Sequence, residues 1–266
     1  MFKDSLYKEK MSKTIEVFSK ELSSLRTGRA NANMLDLVKV DVYGQQMPIN
    51  QIGSITTPEP RMINIQVWDT NNVALVDAAI KKSDLGDLKK VIKTEFNIEG
   101  YPSNDFLKMV LNIKPDQVTL VPDPPNVLTS NQGWDTVKNQ IFLSSIIKTL
   151  QTEGIRTSIF IEANKEMIKA AKETNTDRIE LYTELYSKNY PFNKDASIEP
   201  YIQAAQYAQD LNLGVNAGHD LDLNNLNFFQ KSISNLMEVS IGHALVCDAL
   251  YMGLEQTIKS YKRLLK

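Results

Sequence analysis

From Asp87 onward, short apolar runs alternate with amphipathic helical patterns, and this alternation limits the possible folds more than any other feature. Repeated strand–helix units produce a parallel sheet covered by helices. Six strand-like runs are present, whereas a closed (β/α)₈ barrel needs eight strands. The pattern therefore predicts an α/β fold, an incomplete (β/α)₈-type barrel of about six βα units. The runs are Phe96–Ile98, Val118–Val121, Thr157–Ile161, Ile179–Tyr182, Gly214–Ala217 and Val239–Ile241.

Helical patterns lie between these runs and are clearest at Val137–Leu150 and Ala244–Leu265. Cys247 lies on the apolar side of the second pattern, so we expect it to be a core residue rather than a nucleophile.

Residues 1–86 have a different pattern, which begins with a long predicted helix. Its apolar residues are spaced alternately by four and three positions, at Met11, Ile15, Phe18, Leu22 and Leu25. Gly28 ends this helix, and a strand-like alternation over residues 35–43 leads to a turn at Gly44. Strands around residues 52–55 and 62–67 and a helix over about 72–82 complete the segment. Such closely spaced strands predict a small antiparallel sheet, and we place a domain boundary between residues 86 and 87.

Composition excludes several classes of protein. Hydrophobic residues make up 42% and charged residues 23% of the chain, as in ordinary globular proteins. A net charge of −2 argues against a strongly basic nucleic-acid binder. The single cysteine cannot form an internal disulfide, which fits a reducing compartment. No apolar run approaches the roughly 18 residues of a membrane span. We therefore expect a cytoplasmic protein without membrane contact.

Both histidines of the chain, His219 and His243, follow a glycine at the end of a predicted strand. Barrels of this type carry their catalytic groups at the carboxyl ends of the strands. A lone histidine is more often structural, but the repeated placement favours a function in acid–base chemistry. The adjacent glycines allow backbone N–H groups to approach an anion. Gly242 and His243 also lead into the last helix, whose amino terminus can bind phosphate.

Glu99 and Glu180 are the acidic candidates, because burial at a barrel mouth can raise the pKa of a carboxyl and make it a base. For Glu99, the spacing is equally compatible with a solvated or ion-paired surface group. The two histidines and scattered carboxylates lack the spacing of a zinc site. The sequence also lacks a Walker-type loop, a GxSxG elbow and a GxGxxG motif. We therefore expect neither a metal nor a cofactor.

Residues 25–30 read LRTGRA, and further matching stretches are Val40–Gly44, Pro48–Ile52 and Ala78–Gly86. In these motifs the first 86 residues resemble ribosome recycling factor, a three-helix bundle with a small inserted β domain that binds ribosomal RNA. The resemblance implies that Arg26 and Arg29 contact RNA phosphates, with ion pairing at the helix end as the alternative. The second and third bundle helices have no counterpart, so we expect no independent recycling activity.

The rest of the chain resembles pyridoxine 5′-phosphate synthase in several strand-end motifs that occur in the family's order. They are Thr94–Gly100, Pro115–Pro122, Gly154–Ile161, Val215–His219 and Ile241–Ala244. That family is a TIM barrel that condenses 3-amino-2-oxopropyl phosphate with 1-deoxyxylulose 5-phosphate, releasing phosphate and water. The resemblance implies an enzyme of vitamin B6 biosynthesis, with a ribosome-binding protein of translation termination as the alternative.

The resemblance also assigns roles to individual residues. Glu99 corresponds to the catalytic base, His219 to the proton donor and Glu180 to the carboxylate that stabilises the transition state. The positions expected to bind substrate are Thr129, Asp220, Gly242 and His243. Asp220 stands where the family commonly has glycine.

The family's first two βα units have no counterpart in residues 1–86, so the chain resembles the front of one gene joined to the back of another. Two missing strands would leave unpaired sheet edges and an exposed core. We therefore expect weakened activity, with the geometry between Glu99 and His219 degrading first. The expected partners are phosphorylated small molecules, ribosomal RNA through residues 1–86, and a further copy of the chain in a homo-oligomer.

Overall fold

A computed structural model describes residues 32–59, 62–123 and 132–266 of the chain. The chain forms two compact units, residues 1–91 and residues 92–266. The predicted first helix, with Arg26 and Arg29, lies outside the described residues, and so does Thr129.

The described part of the first unit contains two antiparallel strand pairs and one helix. Strand β1 (Lys39–Val42) pairs with β2 (Gln45–Pro48), and β3 (Gly53–Glu59) pairs with β4 (Met62–Val67). Single 3₁₀ turns lie at Ala32–Leu35, Ile49–Gln51 and Thr70–Asn72. Helix α1 (Val73–Val91) extends beyond the predicted end near residue 82.

Local sequence explains the antiparallel pairs. The predicted turn is a two-residue hairpin in which Tyr43 and Gly44 have φ angles of 54° and 80°, the combination that joins tightly paired strands. Alternate residues Val38, Val40 and Val42 are buried in one apolar cluster. The expectation of a small antiparallel sheet is confirmed in the form of two separate ribbons.

The second unit is built on a parallel sheet of six strands whose spatial order follows the chain. All six predicted strand-like runs form strands of this sheet. The strands are β5 (Asn97–Gly100), β6 (Gln117–Leu120), β7 (Arg156–Ile161), β8 (Arg178–Tyr182), β9 (Gly214–Gly218) and β10 (Leu236–Ser240).

Helices connect consecutive strands, as expected for parallel βα units. They are α2 (Asn104–Ile113), α3 (Gln140–Thr152), α4 (Lys165–Glu173), α5 (Glu184–Asn189), α6 (Lys194–Asp210) and α7 (Leu226–Ser232). The chain ends in α8 (His243–Met252) and α9 (Leu254–Leu264). None of the helices in the described residues is long and apolar enough to cross a bilayer.

The predicted single helix over residues 244–265 is therefore wrong. Gly253 separates α8 from α9 with a φ of 78°, a backbone conformation that glycine adopts without steric cost. The expectation that Cys247 is a core residue is also wrong, because its side chain is exposed. Helix α8 has no buried residue. It follows β10, an edge strand of the described sheet, so no further βα unit of that sheet covers it.

The sheet is strongly curled. Strands β5 and β10 form its two edges, and in a flat sheet of this size they would lie about 24 Å apart. In the structure, the Asn97 Nδ2 atom on β5 lies 3.4 Å from the Glu238 Oε1 atom on β10. As expected, the two edge strands of the described sheet are not joined by backbone hydrogen bonds. The sheet nevertheless has the curvature of a barrel wall. This is an α/β fold with an incomplete TIM-type barrel.

Candidate active site

Glu180 occupies the interior of the curled sheet, on strand β8. Its side chain is 1% exposed, and its Oε2 atom accepts a hydrogen bond of 3.2 Å from the Ser240 hydroxyl at the end of β10. Burial raises the pKa of the Glu180 carboxyl well above its ordinary value of 4.5, and the nearby charges of Glu99 and Glu238 raise it further. The site therefore favours the neutral form of this carboxyl, which can donate a hydrogen bond.

Gly218 makes room for the Glu180 carboxyl. A Cβ atom at position 218 would lie 2.3 Å from the Glu180 Oε1 atom, so any side chain there would displace the carboxyl. The backbone N–H of His219 donates to the Ser240 carbonyl at 3.1 Å. The prediction that this first glycine–histidine turn presents its N–H to an anion is therefore wrong. The glycine is needed for close packing instead.

Glu99 lies near the carboxyl end of β5, where its side chain remains exposed to solvent. The surrounding protein still removes part of its hydration, and this raises the pKa of the Glu99 carboxyl. The charge of His219 acts in the opposite direction, and that of Asp123 raises the pKa. The charge of His219 thus acts on the Glu99 carboxyl, and that of Glu99 acts on the Glu180 carboxyl. The expected degradation of the geometry between Glu99 and His219 stays a prediction.

His219 directly follows β9 and has a φ of 96°, which is unusual for a residue other than glycine. Its Nδ1 atom lies 2.8 Å from an Asp220 carboxylate oxygen, so the residue after the histidine orients the imidazole ring. The Tyr182 ring contacts it edge-on at 5.2 Å between centroids, and the Phe160 ring lies at 6.4 Å. The imidazole thus lies between two aromatic rings and a carboxylate.

The second glycine–histidine turn begins α8, with Gly242 as the residue that precedes the helix. The first N–H groups of a helix have no acceptor within it, and they favour an anion. A Cβ atom built on Gly242 meets no atom within 4 Å, so the backbone at this turn is open to solvent. The His243 ring is 6.2 Å from that of His219. The structure thus places Gly242 and His243 beside the Glu99, Glu180 and His219 cluster, and their substrate contacts stay a prediction.

Sequence reasoning did not identify three further contributors: Ser240, Tyr182 and Phe160. Ser240 hydrogen-bonds Glu180, and the two rings contact His219. Ser240 ends its strand two residues before Gly242, and its position within the last predicted strand-like run was the available signal. The two aromatic residues looked like ordinary strand residues, and only the curl of the sheet brings them to the histidine.

The model of the family "Pyridoxal phosphate biosynthesis protein PdxJ" matches residues 77–266. The chain belongs to this family. The ribosome recycling factor model matches residues 18–99, so PdxJ-family sequence follows sequence of a second family in one chain. The predicted two-family character is confirmed, and the two matches overlap over residues 77–99.

Curated relatives of this PdxJ-family chain are pyridoxine 5′-phosphate synthases. That of Parabacteroides distasonis is 56% identical over 183 residues, which cover 69% of this chain and 77% of the relative. That of Cytophaga hutchinsonii is 47% identical over 246 residues, which cover 92% of this chain and 96% of the relative. The predicted membership of an enzyme family of vitamin B6 biosynthesis, acting on phosphorylated small molecules, is confirmed.

Proposed function

We propose that the chain acts as a pyridoxine 5′-phosphate synthase. It condenses 3-amino-2-oxopropyl phosphate with 1-deoxyxylulose 5-phosphate and releases phosphate and water. One observation carries this proposal: the curled sheet bears the His219 imidazole, oriented by Asp220 and 6.2 Å from the His243 ring, together with a buried carboxyl, Glu180, and a more exposed one, Glu99. Two carboxyls in such different environments are suited to different acid–base roles.

Glu99 is the general base in this proposal. It is the more exposed of the two carboxyls. Desolvation raises the pKa of the Glu99 carboxyl, and the charge of His219 opposes that rise. As a carboxylate it removes protons from the condensing substrates. His219, oriented by Asp220, gives a proton to the hydroxyl that leaves as water. Glu180 stays protonated and donates a hydrogen bond to oxygen charge that develops in the transition state.

Phosphate groups bind at the Gly242–His243 turn and the first turn of α8, where backbone N–H groups and the helix dipole attract an anion. Open space beside Gly242 supports this assignment. Thr129 provides a further substrate contact on the basis of the family resemblance. The reaction proposed here needs no cofactor, because each step is an addition, an elimination or a proton transfer.

Turnover by the full chain tests this function. Purified protein incubated with both phosphorylated substrates is expected to form pyridoxine 5′-phosphate, detected by mass spectrometry. His219→Ala is expected to slow the reaction by about 10²–10⁴-fold, the usual effect of removing a general acid. The Cytophaga hutchinsonii relative serves as the positive control. Absence of product from the full chain, with the relative active in the same assay, would contradict the proposal.

A ribosome-binding role is the second candidate function, and the ribosome recycling factor match over residues 18–99 favours it. Arg26 and Arg29 would contact RNA phosphates in this role. The full chain is then expected to co-sediment with ribosomes in a salt-dependent manner. The double variant Arg26→Ala/Arg29→Ala is expected to lose most of this binding. Co-sedimentation that is unchanged in the double variant would argue against it.

We further propose that the chain works in the cytoplasm as a homo-oligomer. The single cysteine fits a reducing compartment. The apolar face of α8, which exposes Leu250 at 78% and Tyr251 at 91%, supports contact with a further copy of the chain.

A further inference from the structure

A ring of polar side chains fills the interior of the sheet near the amino-terminal ends of the strands. Each of the six strands contributes one member, and hydrogen bonds join them. The members are Asn97, Gln117, Arg156, Arg178, Asn216 and Glu238. We refer to these residues as the polar ring.

Glu238 on β10 is the centre of the polar ring. Its Oε2 atom accepts hydrogen bonds from Gln117 and Asn216, both at 3.1 Å, and from the Arg178 guanidinium at 3.2 Å. Its Oε1 atom accepts from Asn97 at 3.4 Å. One carboxylate thus binds side chains from β5, β6, β8 and β9. The contact with Arg178 is charge-assisted and largely shielded from water, since the arginine side chain is 12% exposed.

These bonds replace a missing connection in the sheet. Within the described residues, β5 pairs only with β6, and β10 pairs only with β9. No ladder of backbone hydrogen bonds joins the two edges there, and the side-chain bonds of Glu238 join them instead.

The polar ring lies next to the candidate active site, on the side of the amino-terminal ends of the strands. Side chains alternate between the two faces of a strand, so residues two apart lie on the same face. Glu99 lies two residues after Asn97 on β5, and Ser240 lies two residues after Glu238 on β10. Ser240 in turn hydrogen-bonds Glu180. A change in the distance between the edge strands therefore moves Glu99 relative to Glu180 and His219.

We propose that Glu238 is a positioning residue, which holds edge strand β5 against β10 through the polar ring and so places Glu99 opposite Glu180 and His219. The importance of this placement for catalysis rests on the proposed synthase function, whereas the closure of the two edges does not.

A distance measurement tests the closure without relying on activity. Spin labels on the exposed Cys247 of α8 and on a cysteine introduced at Asp105 of α2, also exposed, report the separation of the helices beside the two edges. Glu238→Ala is expected to lengthen the mean distance by about 5 Å, one strand spacing, and to broaden its distribution. Glu238→Gln retains hydrogen-bonding groups and is expected to keep the distance near that of the parent protein.

Two further variants complete the test. Glu255→Ala on α9 removes an exposed carboxylate that pairs with Lys259, and it is expected to leave the distance unchanged. Asn97→Ala removes the hydrogen bond from β5 to Glu238 and leaves the Glu238–Arg178 pair in place. This variant is also expected to lengthen the distance between the spin labels, and it tests the proposal if Glu238→Ala does not fold.

Kinetics separate positioning from a general loss of structure. In Glu238→Ala, kcat is expected to fall about 10²-fold through misplacement of Glu99, with a much smaller change in KM, and Glu238→Gln is expected to recover most of it. An unchanged distance distribution in both Glu238→Ala and Asn97→Ala would overturn the proposal. A lengthened distance in a chain that shows no turnover in any form would uphold the closure and contradict the synthase function alone.

Discussion

Replacing Glu99 with glutamine is expected to lower kcat for pyridoxine 5′-phosphate formation by about 10²–10⁴-fold, the range for loss of a general base. Glutamine has nearly the same shape as glutamate but cannot accept a proton at neutral pH. Glu99 is exposed at the end of β5, so the substitution removes no core packing. We therefore expect the melting temperature of the second unit to stay close to that of the parent chain.

Steady-state kinetics with both substrates and a thermal melt check this expectation. Glu255→Gln, an exposed carboxylate on α9, is the matched control and should retain full activity. If Glu99→Gln retained kcat within about twofold, the base would have to be another group, because a lost proton acceptor costs far more.

Glu180→Gln is expected to stabilise the second unit, and to do so increasingly as pH rises. Burial raises the pKa of the Glu180 carboxyl above the value of 4.5 that applies in the unfolded chain. Between these two pKa values, the folded protein keeps a proton that the unfolded chain releases. The contribution of Glu180 to stability is therefore complete below the unfolded pKa, and it is lost as pH rises through the folded pKa. Glutamine stays neutral, so the variant escapes this loss.

Thermal melts between pH 4 and pH 8 measure the effect. Each 1 kcal/mol of stabilisation would raise the melting temperature by about 2–4 °C for a unit of this size. The difference between variant and parent should be small near pH 4 and largest at pH 8. The exposed Glu255→Gln control should show no such trend. A parent chain that matched or exceeded the stability of Glu180→Gln at pH 8 would contradict the neutral state assigned to the buried carboxyl.

Local patterns predicted the elements of the second unit well. The apolar runs at 118–121 and 157–161 form buried parallel strands, because strands covered on both faces consist of apolar residues over most of their length. The one clear failure among the helices is the final pattern. Its apolar periodicity continues across Gly253, but that residue adopts a positive φ and separates two helices. The spacing of apolar residues does not reveal a helix break that involves a single residue.

The candidate site was only partly predictable. Glu99, His219 and His243 stood out because they follow predicted strands, and the carboxyl ends of parallel strands meet at one edge of a sheet. Glu180 lies within its strand, so this placement did not mark it. The role of Gly218 did not follow from the sequence, because the contact that requires a glycine is with the Glu180 carboxyl on the neighbouring strand.

The sequence by itself determined the family, the six strands and the residues at their ends, since these depend on residue types and short spacings. Only the tertiary structure decided that the six-stranded sheet of the described residues curls until its two edge strands come into side-chain contact. That outcome depends on contacts such as the one between Asn97 and Glu238, which are 141 positions apart. Buried polar groups need partners, and the partner of Asn97 lies on the opposite edge of the sheet, at a separation that no local spacing reveals.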